Sequence, residues 1–194
     1  AGNPPSESGS NSDDLAGAAR IAPLVYIYRN NLEQLIASAR AQTALTHKNM
    51  QVIDSAEYFA RVVWNVLQGQ TPTAALKTAK RGAFDTDPYS RWIEAGLKSV
   101  GDDTRQAIKD FGQMCEVAAA FPSVVHLIAK YENDLNGALV ENAMAGGDSA
   151  GRGLIVGLIV GAHVGPDAIP NAWQTELKAY DHIMGLLGNI DQHS

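Results

Sequence analysis

One cysteine in 194 residues, Cys115, excludes an internal disulfide and every multi-cysteine metal cage. Basic side chains are outnumbered as well. Fifteen Lys and Arg against 21 Asp and Glu leave a formal net charge of -6 and a pI near 5.3, which disfavours a general polyanion-binding surface and nucleic acid as a partner. A local phosphate site remains allowed. Long apolar runs are missing too: the most apolar stretch, LIVGLIVGA, lies between Gly153 and His163. That is well short of the ~20 residues needed to cross a bilayer, so no membrane partner is expected. No charged, apolar, small-residue leader is present either, and a cytoplasmic location is expected. The chain opens on Ala1 rather than methionine, so it is expected to be a processed or trimmed piece.

Sustained period-2 alternation and hairpin signals are absent, whereas apolar residues at helical spacing recur almost everywhere, which predicts an all-α fold. Residues 1–13, AGNPPSESGSNSD, combine prolines, glycines and serines with no large apolar side chain and read as a flexible linker or loop. Residues 14–194 are expected to form a single domain, large enough for a buried core without staples. Leu32, Leu35, Ile36 and Ala39 mark one amphipathic face. Val52, Ala56, Phe59, Val63, Val66 and Leu67 mark a longer one that stops at Gly69. Thr71-Pro72 then restarts the chain as N-cap and first helical residue. Further helices are predicted over Ser90–Ser99, Asp103–Ala120, from Pro122 on, over Asp134–Met144 and over Leu177–Leu187, with a loop at Arg81–Asp87. The apolar stretch is a buried helix whose glycines at 153, 157, 161 and 165 lay a groove along one face, open to a neighbouring helix or a ligand.

Just before that helix, Gly146-Gly147-Asp148-Ser149 delivers a carboxylate and a hydroxyl to a helix N-terminus. Oxygen ligands suit a hard cation there, and the same residues suit a plain helix cap. Taken with Gly161-Ala162-His163-Val164-Gly165, then Ala168-Ile169-Pro170 and Trp173, this segment resembles the C-terminal signature of the ADP-ribosylglycohydrolase family. Gly17-Ala18-Ala19-Arg20-Ile21-Ala22-Pro23-Leu24 resembles the family's G-A-M-R-x-x-P-L helix, and Leu45-Thr46-His47 its L-T-H turn. The resemblance runs from about Gly9 onward and is similar to the C-terminal portion of the family's fold.

What the resemblance implies is an orthogonally packed multi-helix bundle with magnesium in a central cleft, hydrolysing an N- or O-glycosidic bond to ADP-ribose or a related nucleoside sugar. It implies Asp148 and Ser149 at the metal, and Ser10, Asn11 and Asp14 with His47 along the nucleotide. Catalytic carboxylates would come partly from a missing N-terminal segment of the same protein, and the partners would be ADP-ribose or an ADP-ribosylated protein. The turn departs from the family pattern, because Ala150 and Gly151 stand where a second aspartate and a hydroxyl are found. One metal or none is therefore expected. Arg152, four residues after Asp148, is placed to pair with it. The GGDSAGR wording resembles a divergent branch that includes J1-crystallin-like proteins. A non-catalytic, crystallin-like or ADP-ribose-binding role is thus the alternative to a hydrolase.

Gly101-Asp102-Asp103-Thr104 resembles another acidic family motif in the wrong order and reads as a helix start. His47 fits either a nucleotide contact or a helix-end imidazole. His126 and His163 are expected to be satisfied core or cleft residues, and Cys115 a buried small hydrophobe.

Overall fold

The computed structural model describes residue 4 and residues 8–191, so residues 1–3 and 5–7 of the expected linker lie outside the described residues. Among the described residues there are α-helices and short 3-10 turns, with two isolated backbone bridges and no strand. The helices are α1 (Ala22–Ile27), α2 (Leu32–Ala44), α3 (Met50–Leu67), α4 (Pro72–Lys80), α5 (Tyr89–Lys98), α6 (Thr104–Phe111), α7 (Val117–Lys130), α8 (Leu135–Met144), α9 (Ser149–Val164), α10 (Asn171–Thr175) and α11 (Tyr180–Asp191). The all-α expectation holds. Among the described residues no helix is long and apolar enough to cross a membrane.

Several starts follow from side-chain oxygens that take up the first orphan amides of a helix. Asn31, Asn49, Thr71, Asp103, Asp134 and Asp148 each accept a backbone N–H in the first turn that follows. Asp103 is therefore the cap that the wrong-order acidic motif suggested. The helix expected over Asp103–Ala120 is instead broken. Gly112 closes α6 with φ of 120°, and Gln113 follows at φ of 53°, a left-handed conformation that ends helical bonding. Pro122, expected to start a helix, sits inside α7. It is buried, and its carbonyl lies so close to α5 that a Cβ on Gly96 would stand 2.6 Å from that oxygen, which requires glycine at 96. The last helix begins at Tyr180, three residues after the expected Leu177.

Helices α3, α7 and α9 form the centre, with α2 and α4 against α3, α5 and α6 against α7, and α8 against α9. Tyr58, Phe59, Phe84, Tyr89, Trp92 and Phe121 make a connected set of ring contacts at 4.9–5.6 Å between centroids. The glycine stripe of α9 serves two purposes. Gly153 and Gly157 admit Leu139 and Asn142 of α8, while Gly161 and Gly165 face open space. With α1 they line an apolar groove of about 470 Å³. Helix α11 has no buried residue and is tied to α1 through Asp191, which accepts from Tyr26 at 2.6 Å and from Arg29 at 3.3 Å.

His126 is fully buried, with Nδ1 2.7 Å from Ser99 Oγ and Nε2 3.1 Å from Thr104 Oγ1, and so is a satisfied core residue as expected. Burial, and after it the charge of Lys130, depresses its pKa from 6.5 to about 4. The unfolded chain therefore binds a proton between pH 6.5 and 4 that the folded chain refuses. Stability is full above pH 6.5 and falls as the pH drops toward 4, by at most about 1.4 kcal/mol per pH unit. Thermal melts at pH 7 and pH 4.5 should show a smaller acid loss in His126→Gln than in the parent. Equal losses would remove His126 as the cause.

Candidate functional site

The turn before α9 is built by close approach of backbones. Gly146 and Gly147 adopt φ of 71° and 65°, and a Cβ on Gly147 would lie 1.9 Å from the carbonyl oxygen of Gln113. Only glycine fits that place. The same carbonyl accepts the Asp148 N–H at 3.0 Å, and Gln113 Nε2 donates to the Ala145 carbonyl at 2.6 Å. Asp148 Oδ1 then accepts the Gly151 N–H at 3.2 Å and caps α9. Its Oδ2 is buried without a hydrogen-bond partner, close to where a Cβ on Gly151 would stand.

Arg152 does not pair with Asp148: no ion pair between them forms within 4 Å among the described residues. Its helix turns the side chain inward, onto the face shared with Ile155, Val156 and Ile159, where it is fully buried. There Nε donates to Asn142 Oδ1 at 2.9 Å, Nη1 to the Gln113 carbonyl at 3.1 Å and Nη2 to the Gly146 carbonyl. Asn142 is itself buried and donates Nδ2 to the Ser149 carbonyl at 2.8 Å. Burial pulls the Arg152 pKa down, and the negative charge of Asp148 opposes that pull.

The loop at residues 8–14 is held by backbone pairing on both sides. Ser10 N–H donates to the Thr46 carbonyl at 2.9 Å and Lys48 N–H to the Ser10 carbonyl at 2.8 Å, so Ser10 bridges to His47. Ser10 Oγ accepts from Ser12 N–H, Ser12 Oγ from Asp14 N–H, and Asp14 Oδ1 from Ala16 N–H at 2.8 Å. Asp14 thereby caps the 3-10 turn Leu15–Gly17, and Asn11 is exposed beside it. His47 is half-buried with its ring on Gly17, where a Cβ would fall 2.6 Å from Cγ. Its Nδ1 shares a hydrogen bond with Thr46 Oγ1, to which Arg20 Nη2 also donates.

Two findings join these parts. A Cβ on Gly151 would lie 3.3 Å from Ala16 Cβ, so the start of α9 abuts the turn that Asp14 caps. The Leu15 N–H donates to the Cys115 carbonyl at 2.9 Å and the Val117 N–H to the Asp13 carbonyl at 2.8 Å. The segment Gly112–Glu116 thus touches both the Asp148 turn and the Ser10–Asp14 loop. Gln113 and Asn142 are supporting residues that the motifs did not single out, and Arg152, expected to pair with Asp148, supports the turn from the core instead. The available signal was one charge in register with the apolar face of the most apolar helix. Cys115 is half-buried, not the buried hydrophobe expected, and burial and Asp14 raise its thiol pKa. His163 lies 3.2 Å from Asn133 Oδ1.

No group of three His, Cys, Asp or Glu side chains comes together as a metal cage among the described residues. The orphaned Asp148 Oδ2, with Ser149 next to it, fits one corner of a hard-cation site. Ala150 and Gly151 add no ligand, so the turn does not fit a two-ion centre. The apolar cavities beside α1, of about 470 and 480 Å³, are lined by none of the candidate site residues.

A family model described as ADP-ribosylglycohydrolase matches residues 1–194. No curated protein matches the chain.

Gly147→Ala is expected to cost more than about 2 kcal/mol, because it combines positive φ with a clash against backbone. Gly161→Ala, in open space on a helix, should be neutral or stabilise by roughly 0.5–1 kcal/mol. Urea unfolding midpoints of the two variants check the contrast.

Proposed function

The chain belongs to the ADP-ribosylglycohydrolase family, and on that premise we propose that it acts on an N- or O-glycosidic bond to ADP-ribose or a related nucleoside sugar. The observation that carries this reading is the convergence of the Ser10–Asp14 loop, His47 and the Asp148–Ser149 turn on one 3-10 turn, Leu15–Gly17. In this reading Ser10, Asn11 and Asp14 line the diphosphate and ribose, where a loop of small polar residues lets a phosphate approach the backbone. His47, braced on Gly17, bounds the same part of the cleft. The Asp148–Ser149 turn then faces the scissile sugar carbon.

Asp148 and Ser149 would hold magnesium, whose chemistry when bound would be to orient a water and lower its pKa. Further metal ligands, and the catalytic carboxylates, would come partly from an N-terminal segment of the same protein outside these residues. The natural partner is ADP-ribose itself or an ADP-ribosylated protein.

A second reading, a non-catalytic crystallin-like or ADP-ribose-binding protein, is favoured by one observation. Where the family places further metal ligands this turn has Ala150 and Gly151, with the buried cation of Arg152 just behind them. Such a protein would keep the fold and lack the chemistry.

Calorimetry with ADP-ribose, with and without magnesium, and release assays on peptides ADP-ribosylated at arginine or serine separate the readings. Binding with magnesium-dependent release supports the hydrolase, binding without release supports the ADP-ribose-binding role, and neither heat nor release contradicts both of these and leaves the purely structural, crystallin-like role. His47→Ala should weaken ADP-ribose binding at least tenfold while the helical circular dichroism stays unchanged. Parental affinity in that variant would remove His47 from the site.

A further inference from the structure

A buried guanidinium is costly, and it is kept only where it is well hydrogen-bonded and its loss would be costlier still. Arg152 has no carboxylate in hydrogen-bonding contact. Its acceptors are Asn142 Oδ1 and two main-chain carbonyls, those of Gln113 and Gly146. Each acceptor belongs to a different segment: Asn142 to α8, Gly146 to the turn, and Gln113 to the connector between α6 and α7. The fork of one side chain therefore fixes three pieces of backbone relative to α9.

The connector is the piece that matters at a distance. The Gln113 carbonyl receives both the Asp148 N–H and Arg152 Nη1, and two residues later the Cys115 carbonyl receives the Leu15 N–H. Val117 then donates to Asp13. A path leads from the Arg152 side chain to the Gln113 carbonyl, along the connector backbone to Cys115 and Val117, and by main-chain hydrogen bonds to the loop that carries Ser10, Asn11 and Asp14. Gln113 holds a left-handed conformation that a non-glycine residue adopts only when its surroundings over-determine it. Two donors on its carbonyl and a bond from its own side chain to Ala145 supply that determination.

We infer that Arg152 is a positioning residue that couples the Asp148–Ser149 turn to the Ser10–Asp14 loop through Gln113, so that the two walls of the candidate site are set together. Arg152 itself contacts neither Ser10 nor Asp14, and its effect on that loop passes through the connector. The consequence for ligand binding rests on the proposed reading of the site. The coupling does not, and it is measurable without any ligand.

Amide hydrogen exchange followed by NMR tests it in the parent, Arg152→Lys, Arg152→Gln and Asn142→Ala. The Arg152→Gln variant should raise the exchange rates of Asp148, Leu15 and Val117 at least tenfold and leave Val62 and Val63 of α3 unchanged. Arg152→Lys, which keeps the charge and loses the fork, should do so in part. Should the Arg152 variants loosen α3 as well, Asn142→Ala removes a single arm and should show the same selective pattern, weaker. Faster exchange at Asp148 with Leu15 and Val117 left at parental protection would overturn the coupling. A merely structural role would speed all amides alike. In parallel, ADP-ribose as the probe should bind Arg152→Gln at least tenfold more weakly than the parent. If the parent fails to bind ADP-ribose, the functional reading falls and the exchange data still decide the coupling.

Discussion

One buried positive charge organises the candidate site. Arg152 lies on the same face of α9 as Ile155, Val156 and Ile159, in a position where an aliphatic side chain would complete the core stripe. Desolvating a guanidinium there is offset by its bonds to Asn142 and to the carbonyls of Gln113 and Gly146, and by the nearby charge of Asp148. Those bonds in turn explain neighbouring choices. Gly147 is glycine because the Gln113 carbonyl sits where its Cβ would be, and Asn142 is polar in a core because it links the guanidinium to the carbonyl of Ser149.

This arrangement bears on how the family's chemistry can be carried in this chain. A turn rich in carboxylates needs cations to hold it together. Here the buried Arg152 braces the turn through main-chain carbonyls and not through a carboxylate, and Ala150 and Gly151, which follow Asp148 and Ser149, bring no metal-ligating side chain. Asp148 spends one oxygen on the Gly151 N–H and keeps the other buried beside Ala16. Asp148 and Ser149 are thus the side chains of this turn with oxygen to offer a cation.

Much of the fold was legible because its determinants are local. Thr71-Pro72, Asp103, Asp134 and Asp148 cap helices where their side chains announce them, and the long amphipathic face ending near Gly69 is α3. The misread parts depend on contacts distant in sequence. Gln113 is left-handed because the Asp148 turn grips its carbonyl, and Pro122 lies within α7, where its carbonyl packs against Gly96 of α5. In the site, Ser10, Asp14 and His47 do come together. Arg152, read as an ion-pair partner for Asp148 from its spacing, faces the core and donates elsewhere, since i,i+4 spacing does not distinguish a pair from a buried donor.

The most direct test of this account observes the guanidinium itself. Nitrogen-15 NMR of the arginine side chains at neutral pH should show one group with slow Nε–H exchange and restricted rotation of its terminal nitrogens, absent from the spectrum of Arg152→Lys. If every arginine instead exchanges rapidly with water and rotates freely, Arg152 is not held by Asn142, Gln113 and Gly146, and the account of the site fails.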